Sequence, residues 1–275
     1  MNGNLRKMNV ELANPVKYQL RLINGSEEKT VPMNHFIGQK IHLHFIGDIN
    51  CVSCNRKIGK SFQQGYCFPC MKTLAECDFC IMRPEKCHFA QGTCRDEVWA
   101  KEHCFQPHYV YLANSSDIKV GITRYSQIPT RWIDQGATQA LPIFKVQSRY
   151  QSGLIEVAIK KYISDRTDWR KMLKGEAVKI DMYTRREELF ESCANEIEDL
   201  SQRFPGDIEP LNSEEVLEIN FPVDEYPAKI KSLSFDKDHD VKGLLKGIKG
   251  QYLILDNGVI NLRKFGGYKI DWVRD

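Results

Sequence analysis

The chain has 275 residues, 42% of them hydrophobic and 27% charged, a balance that excludes wholesale disorder, collagen-like repeats and a coiled coil. No run approaches the roughly 20 apolar residues of a membrane helix, and no apolar stretch follows the basic residues at the start, so neither a membrane nor a cleaved leader is expected. The formal net charge of +3 conceals a polarised chain: twelve Lys and Arg against six Asp and Glu leave residues 105–180 at +6, while six against seventeen leave 181–240 at −11.

Residues 1–50 alternate apolar and polar side chains in Tyr18-Gln19-Leu20-Arg21-Leu22 and Ile41-His42-Leu43-His44-Phe45, the period of half-buried strands. His42 and His44 share one strand face, which reads as a partly exposed sheet surface, with metal ligation as the alternative. Nine of the ten cysteines then crowd into residues 51–104. Without an export signal the chain reads as cytoplasmic, and crowded thiols in a reducing compartment point to metal ligation ahead of disulfides.

Cys51-x2-Cys54 and Cys67-x2-Cys70 are separated by 12 residues. Two such knuckles complete the tetrahedral thiolate shell that Zn2+ prefers, as in a zinc ribbon. Cys77, Cys80, Cys87, Cys94 and Cys104 follow, with His88 and His103 beside them. A second zinc site drawn from Cys77, Cys80, Cys94 and Cys104 is expected, with Cys87 or His88 able to replace one ligand and a cross-braced pairing as the alternative. Closed thiolate shells hold a fold together and do not activate water.

Past the cysteines come a strand at 108–113, a turn at 114–117 and a strand at 118–123. A short helix capped by Thr130, a strand around 143–146, a helix over 153–163 and a helical turn capped by Thr167 complete this segment. Thr184 and Glu187 make a capping box for a helix running to Phe204, with Leu189, Phe190, Cys193, Ile197 and Leu200 on its apolar stripe. The acidic segment beyond reads as a linker or surface wrap. Asp256-Asn257-Gly258 between two apolar runs is a hairpin signal, and the β-rich ends are expected to join in one sheet or barrel. The reading is an α+β protein divided at 1–50, 51–104, 105–180, 181–221 and 222–275.

The hairpin, helix, strand, helix order of residues 107–175 resembles the GIY-YIG nuclease superfamily, whose core is a three-stranded antiparallel sheet with flanking helices. Tyr111 matches the tyrosine of its first motif and Lys119-Val120-Gly121 its second, with lysine where tyrosine is usual. Arg131 matches its helix arginine and Glu156 its metal-binding glutamate. The resemblance implies phosphodiester hydrolysis with one Mg2+ or Mn2+ on Glu156, a phosphate clamped by Arg131, a water oriented or deprotonated by Tyr111, and Lys119 as base or phosphate contact. Over its whole length the chain resembles a bacterial family, domain of unknown function 2797, through Lys119-Val120-Gly121-Ile122-Thr123-Arg124, residues 131–137 and 247–252; that likeness supplies no activity. Two functions stay open: a metal-dependent nuclease with structural zinc, and a non-catalytic zinc-containing DNA- or RNA-binding protein. Plainer readings put Tyr111, Trp132 and Trp169 in the core, pair Arg131 with Asp134 and turn Glu156 to solvent.

Overall fold

The computed structural model describes residues 1–273. Its strands are β1 (Asn2–Glu11), β2 (Lys17–Asn24), β3 (Glu27–Pro32), β4 (Lys40–Ile49), β5 (His108–Asn114), β6 (Ile118–Arg124), β7 (Gln139–Val146), β8 (Ile208–Pro210), β9 (Leu217–Glu218), β10 (Asp240–Lys249), β11 (Tyr252–Leu255), β12 (Gly258–Asn261) and β13 (Tyr268–Val273). Its helices are α1 (Phe68–Thr73), α2 (Phe79–Met82), α3 (Glu97–His103), α4 (Thr130–Asp134), α5 (Arg149–Ile159), α6 (Trp169–Leu173), α7 (Met182–Ser192) and α8 (Ala194–Arg203). Among the described residues no helix is long and apolar enough to cross a membrane.

The two ends of the chain build one eight-stranded sheet in the order β12-β11-β10-β4-β13-β1-β2-β3. The alternating pattern does the work: Tyr18, Leu20 and Leu22 of β2 and Ile41, Leu43 and Phe45 of β4 turn inward, and the residues between them turn out. A tight turn at Gly250, where φ is +62°, joins β10 to β11.

The middle of the chain forms the second sheet, β6-β5-β7-β8, with β9 also pairing with β7. It has five strands where the sequence suggests three, because β8 and β9 of the acidic segment add main-chain pairing to the far edge of β7. Both faces are covered. Val110, Leu112, Val120, Leu141 and Ile143 pack on Ile155 and Ile159 of α5 and on Met182, Leu189 and Cys193. Tyr111 and Ala113 face the other way and join Trp132, Ile133 and the core of the first sheet.

Helix boundaries differ from the sequence reading for local reasons. The span 183–204 is two helices broken at Cys193, whose buried thiol lies in the core where the backbone leaves helical geometry (φ −105°, ψ 17°). Asp181, not Thr184, caps α7 by accepting from the N–H groups of Tyr183 and Thr184, and Glu187 pairs with Arg186 instead of closing a box. Asp168 likewise caps α6, while the Thr167 hydroxyl is engaged with Ser115 (3.0 Å). Thr130 lies inside α4, which follows Pro129 and has no side-chain cap.

The cysteine-rich segment is short helices and turns wedged between the two sheets' elements. The Asn50 N–H donates to the Gly267 carbonyl (2.8 Å) at the start of β13. On its other side the module meets α5: a Cβ at Gly153 would lie 2.6 Å from that of Pro84, so only glycine permits this approach.

Candidate functional site

The sulfurs of Cys51, Cys54, Cys67 and Cys70 all lie within 4.8 Å of one another. Cys54 and Cys67 are 3.7 Å apart, close to the ~3.8 Å edge of a tetrahedral shell with ~2.3 Å metal–sulfur bonds. The Cys67 N–H donates to the Cys51 sulfur (3.2 Å) and the Cys70 N–H to the Cys67 sulfur (3.5 Å), support that favours thiolates. The proton balance is uneven across the four. The Arg56 N–H, with neighbouring thiols, draws Cys54 down to about 6, whereas Cys67 first, then burial, pushes Cys70 up to about 12. Four thiolates in this volume therefore need a cation, and the donor set fits Zn2+.

The other five cysteines of the module, Cys77, Cys80, Cys87, Cys94 and Cys104, lie outside that group. Cys77 is buried, and burial first, then the charge of Glu76, pushes its thiol up to about 11. Burial first, then the charge of Asp78, pushes Cys80 up to about 11; beyond these it feels the thiols of Cys87, Cys104 and Cys94. Cys104 in turn feels Cys87 and Cys94. Asp78, Cys80 and His88 bring their ligand atoms within 4.8 Å of one another, with Asp78 held by Arg95 at 2.9 Å.

Against this module opens a cleft of about 330 Å3. Ile81, Met82 and Pro84 line one wall and residues 119–124 of β6 another, with Arg131, Arg149, Glu156, Asp165 and Arg263 among the remaining lining residues. Three sequence-proposed residues meet here: Lys119 from β6, Arg131 from α4 and Glu156 from α5. Tyr111 does not line it. The phenol is fully buried behind Gly121, where an added Cβ would come within 2.6 Å of the hydroxyl oxygen. Tyr111 and Gly121 are cross-strand partners, so the glycine makes room for the ring.

Charge in the cleft is unbalanced. Among the described residues Lys119, Arg131, Arg149 and Glu156 make no ion pair, and Asp134 is engaged by Lys7 and by Gln251 Nε2 (2.8 Å), which removes it as Arg131's partner. Burial, then the Arg131 charge, lowers Lys119 to about 8, with Glu156 and Asp165 opposing. Burial lowers Arg149 as well, with Arg131 contributing. The Glu156 carboxyl is raised, chiefly by burial and then by Asp165, against the pull of Lys160, Arg131 and Arg149. Burial also raises Tyr111, whose hydroxyl, like the Gln135 carbonyl oxygen nearby, has no hydrogen-bond partner among the described residues.

Arg263 and Asp165 escape a sequence reading, Arg124 is legible there only as the end of the Lys119–Arg124 segment, and Arg149 belongs to no motif. Arg149 follows the Ser148 cap of α5, a local cue, and its guanidinium is fixed by donating to the Ile81 carbonyl (2.6 Å). Arg263 arrives from the C-terminal sheet, held by Gln64 Oε1 (2.7 Å), and nothing local announces it. Trp132 is core, edge-on to Tyr111 at 5.8 Å, and Trp169 stacks on Tyr252, so neither is a free platform.

Fold and site together define a two-sheet α+β protein with a four-cysteine cluster able to hold a metal such as zinc. The chain belongs to the DUF2797 family, described as a protein of unknown function, which matches residues 38–270. No curated protein and no solved structure matches it.

Proposed function

We propose that the cleft between β6, α4 and α5 binds a phosphodiester of a nucleic acid and cuts it with one Mg2+ or Mn2+ on Glu156, as a GIY-YIG-like nuclease core. The observation that carries this reading is the set of cations, Lys119, Arg131 and Arg149, gathered around Glu156 with none of them in an ion pair among the described residues. Half-buried like charges cost free energy that an arriving phosphate returns. Arg131 supplies the planar fork for the phosphate oxygens, and Glu156 gives the single carboxylate that Mg2+ accepts beside waters and phosphate. Tyr125, 69% exposed next to Arg124, offers a face for a stacked base. The Cys51/Cys54/Cys67/Cys70 site holds zinc as a structural element, and a second zinc site drawn from Cys77, Cys80, Cys94 and Cys104, with Cys87 or His88 able to replace one ligand, braces the wall whose Ile81 carbonyl positions Arg149.

A second reading, nucleic-acid binding without turnover, is favoured by one feature: Tyr111 is sealed from the cleft and its phenol is harder to ionise than usual. Labelled single- and double-stranded DNA and RNA, incubated with and without Mg2+ or Mn2+, separate the two. Metal-dependent cleavage that disappears in Glu156→Gln while binding persists supports the nuclease. Binding without cleavage of any substrate, in wild type and variant alike, leaves the binder.

A further inference from the structure

A histidine pair stands outside the residues that line the cleft. In β4, His42 and His44 project from the same face, and Asp240 at the start of β10 reaches them: His42 Nε2 is 2.5 Å and His44 Nδ1 3.0 Å from the same carboxylate oxygen, Oδ1. The three ligand atoms lie within 4.8 Å of one another. We propose that His42, His44 and Asp240 form a surface site for a first-row divalent transition ion, Zn2+ being the physiological candidate.

Three features carry this beyond a shared hydrogen bond. First, the backbone is preorganised. β4 is paired on both sides, with β10 and with β13, so the two imidazoles are held in strand register and cannot be splayed by a loop. Their ring centroids are 6.3 Å apart, near enough for one ion to reach a nitrogen of each. Second, the donors match. Two imidazole nitrogens and a carboxylate oxygen suit zinc, cobalt, nickel or copper and not the all-oxygen preference of magnesium or calcium. Third, the site is open: the side chains are 23%, 41% and 40% exposed, leaving coordination positions for water. An ion here would replace the imidazole protons that now face Oδ1; with ~2.0–2.2 Å bonds the ligand atoms of a tetrahedral shell stand ~3.4 Å apart, so the His44 contact would open by roughly 0.4 Å and the His42 contact by roughly 0.9 Å, within reach of a side-chain rotation of the exposed Asp240.

The surrounding charges set its strength. Asp271 of β13 stands opposite His44 on the other side and adds negative potential, partly cancelled by the N-terminal ammonium at 3.2 Å. Lys242 stands opposite His42 and opposes the cation, and the His239 ring centroid lies 6.4 Å from that of His44. Binding must therefore weaken as pH falls and the imidazoles take up protons.

The test uses full-length protein with its thiolate site already zinc-loaded, titrated with Co2+ by calorimetry and visible absorption. One additional Co2+ without a thiolate-to-cobalt charge-transfer band is expected, with affinity at least ~10-fold lower in His44→Gln and in Asp240→Asn while bound zinc and the circular dichroism stay unchanged. As a readout on wild type alone, Co2+ is expected to protect His42 and His44, but not exposed His35, from diethylpyrocarbonate. No additional equivalent, binding equal in both variants, or no protection overturns the proposal.

Discussion

Lys119→Met is expected to stabilise the protein while disabling its cleft. The lysine is 5% exposed and titrates near 8 instead of 10.5, because burial and then Arg131 disfavour the ammonium more than Glu156 and Asp165 favour it. A folded value below the unfolded one means that folding carries a penalty for the charged form. That penalty is fully present below pH 8 and fades as pH rises toward 10.5. At ~1.36 kcal/mol per pH unit, the difference amounts to about 3 kcal/mol. Methionine keeps a long unbranched stem and removes the charge. Denaturant unfolding of zinc-loaded wild type and variant at pH 7 should show the variant more stable by up to about 3 kcal/mol, a rise of several degrees in Tm, with the advantage shrinking to near zero at pH 10.5. The same variant should lose oligonucleotide affinity. Equal or lower stability at pH 7, with the same pH dependence as wild type, refutes the argument that an unpaired ammonium is stored in this cleft.

Other perturbations probe separate parts of the account. Gly121→Ala sets a Cβ 2.6 Å from the Tyr111 hydroxyl and should cost about 1–3 kcal/mol by displacing the buried ring, read as a lower urea midpoint. Removing zinc with a chelator, or Cys51→Ser, should abolish cooperative unfolding of the cysteine module and increase proteolysis within 51–104, with metal analysis showing one equivalent fewer per chain in the variant. Burial holds His108 near 4, below its unfolded value of about 6.5, so its contribution is intact above pH 6.5 and lost as pH falls toward 4, about 3 kcal/mol in all. His108→Leu should flatten that acid limb.

What the sequence discloses is what neighbours in sequence decide. Alternation locates β2 and β4, and the CxxC spacing identifies the Cys51/Cys54/Cys67/Cys70 cluster, because each signal fits within a few turns of chain. The helix caps misled for a competitive reason: Asp181, three residues before Thr184, and Asp168, one residue after Thr167, are stronger acceptors than the threonines that resemble caps. Long-range pairing hides the rest. Asp240 joins His42 and His44 only because β10 pairs with β4 across some two hundred residues. Arg263 enters the cleft only because the C-terminal sheet packs beside α4. The strands β8 and β9 are three and two residues long inside a charged segment, too short for any periodicity to register.

The central claim is that the unpaired cations of the cleft await a phosphodiester, and fluorescence anisotropy of a labelled oligonucleotide across a salt series tests it most directly. Wild type should bind with log affinity falling linearly against log salt, as phosphate contacts release counterions, and Arg131→Gln should bind at least ~10-fold more weakly with a shallower slope. A flat salt response, or equal binding by wild type and Arg131→Gln, contradicts the account.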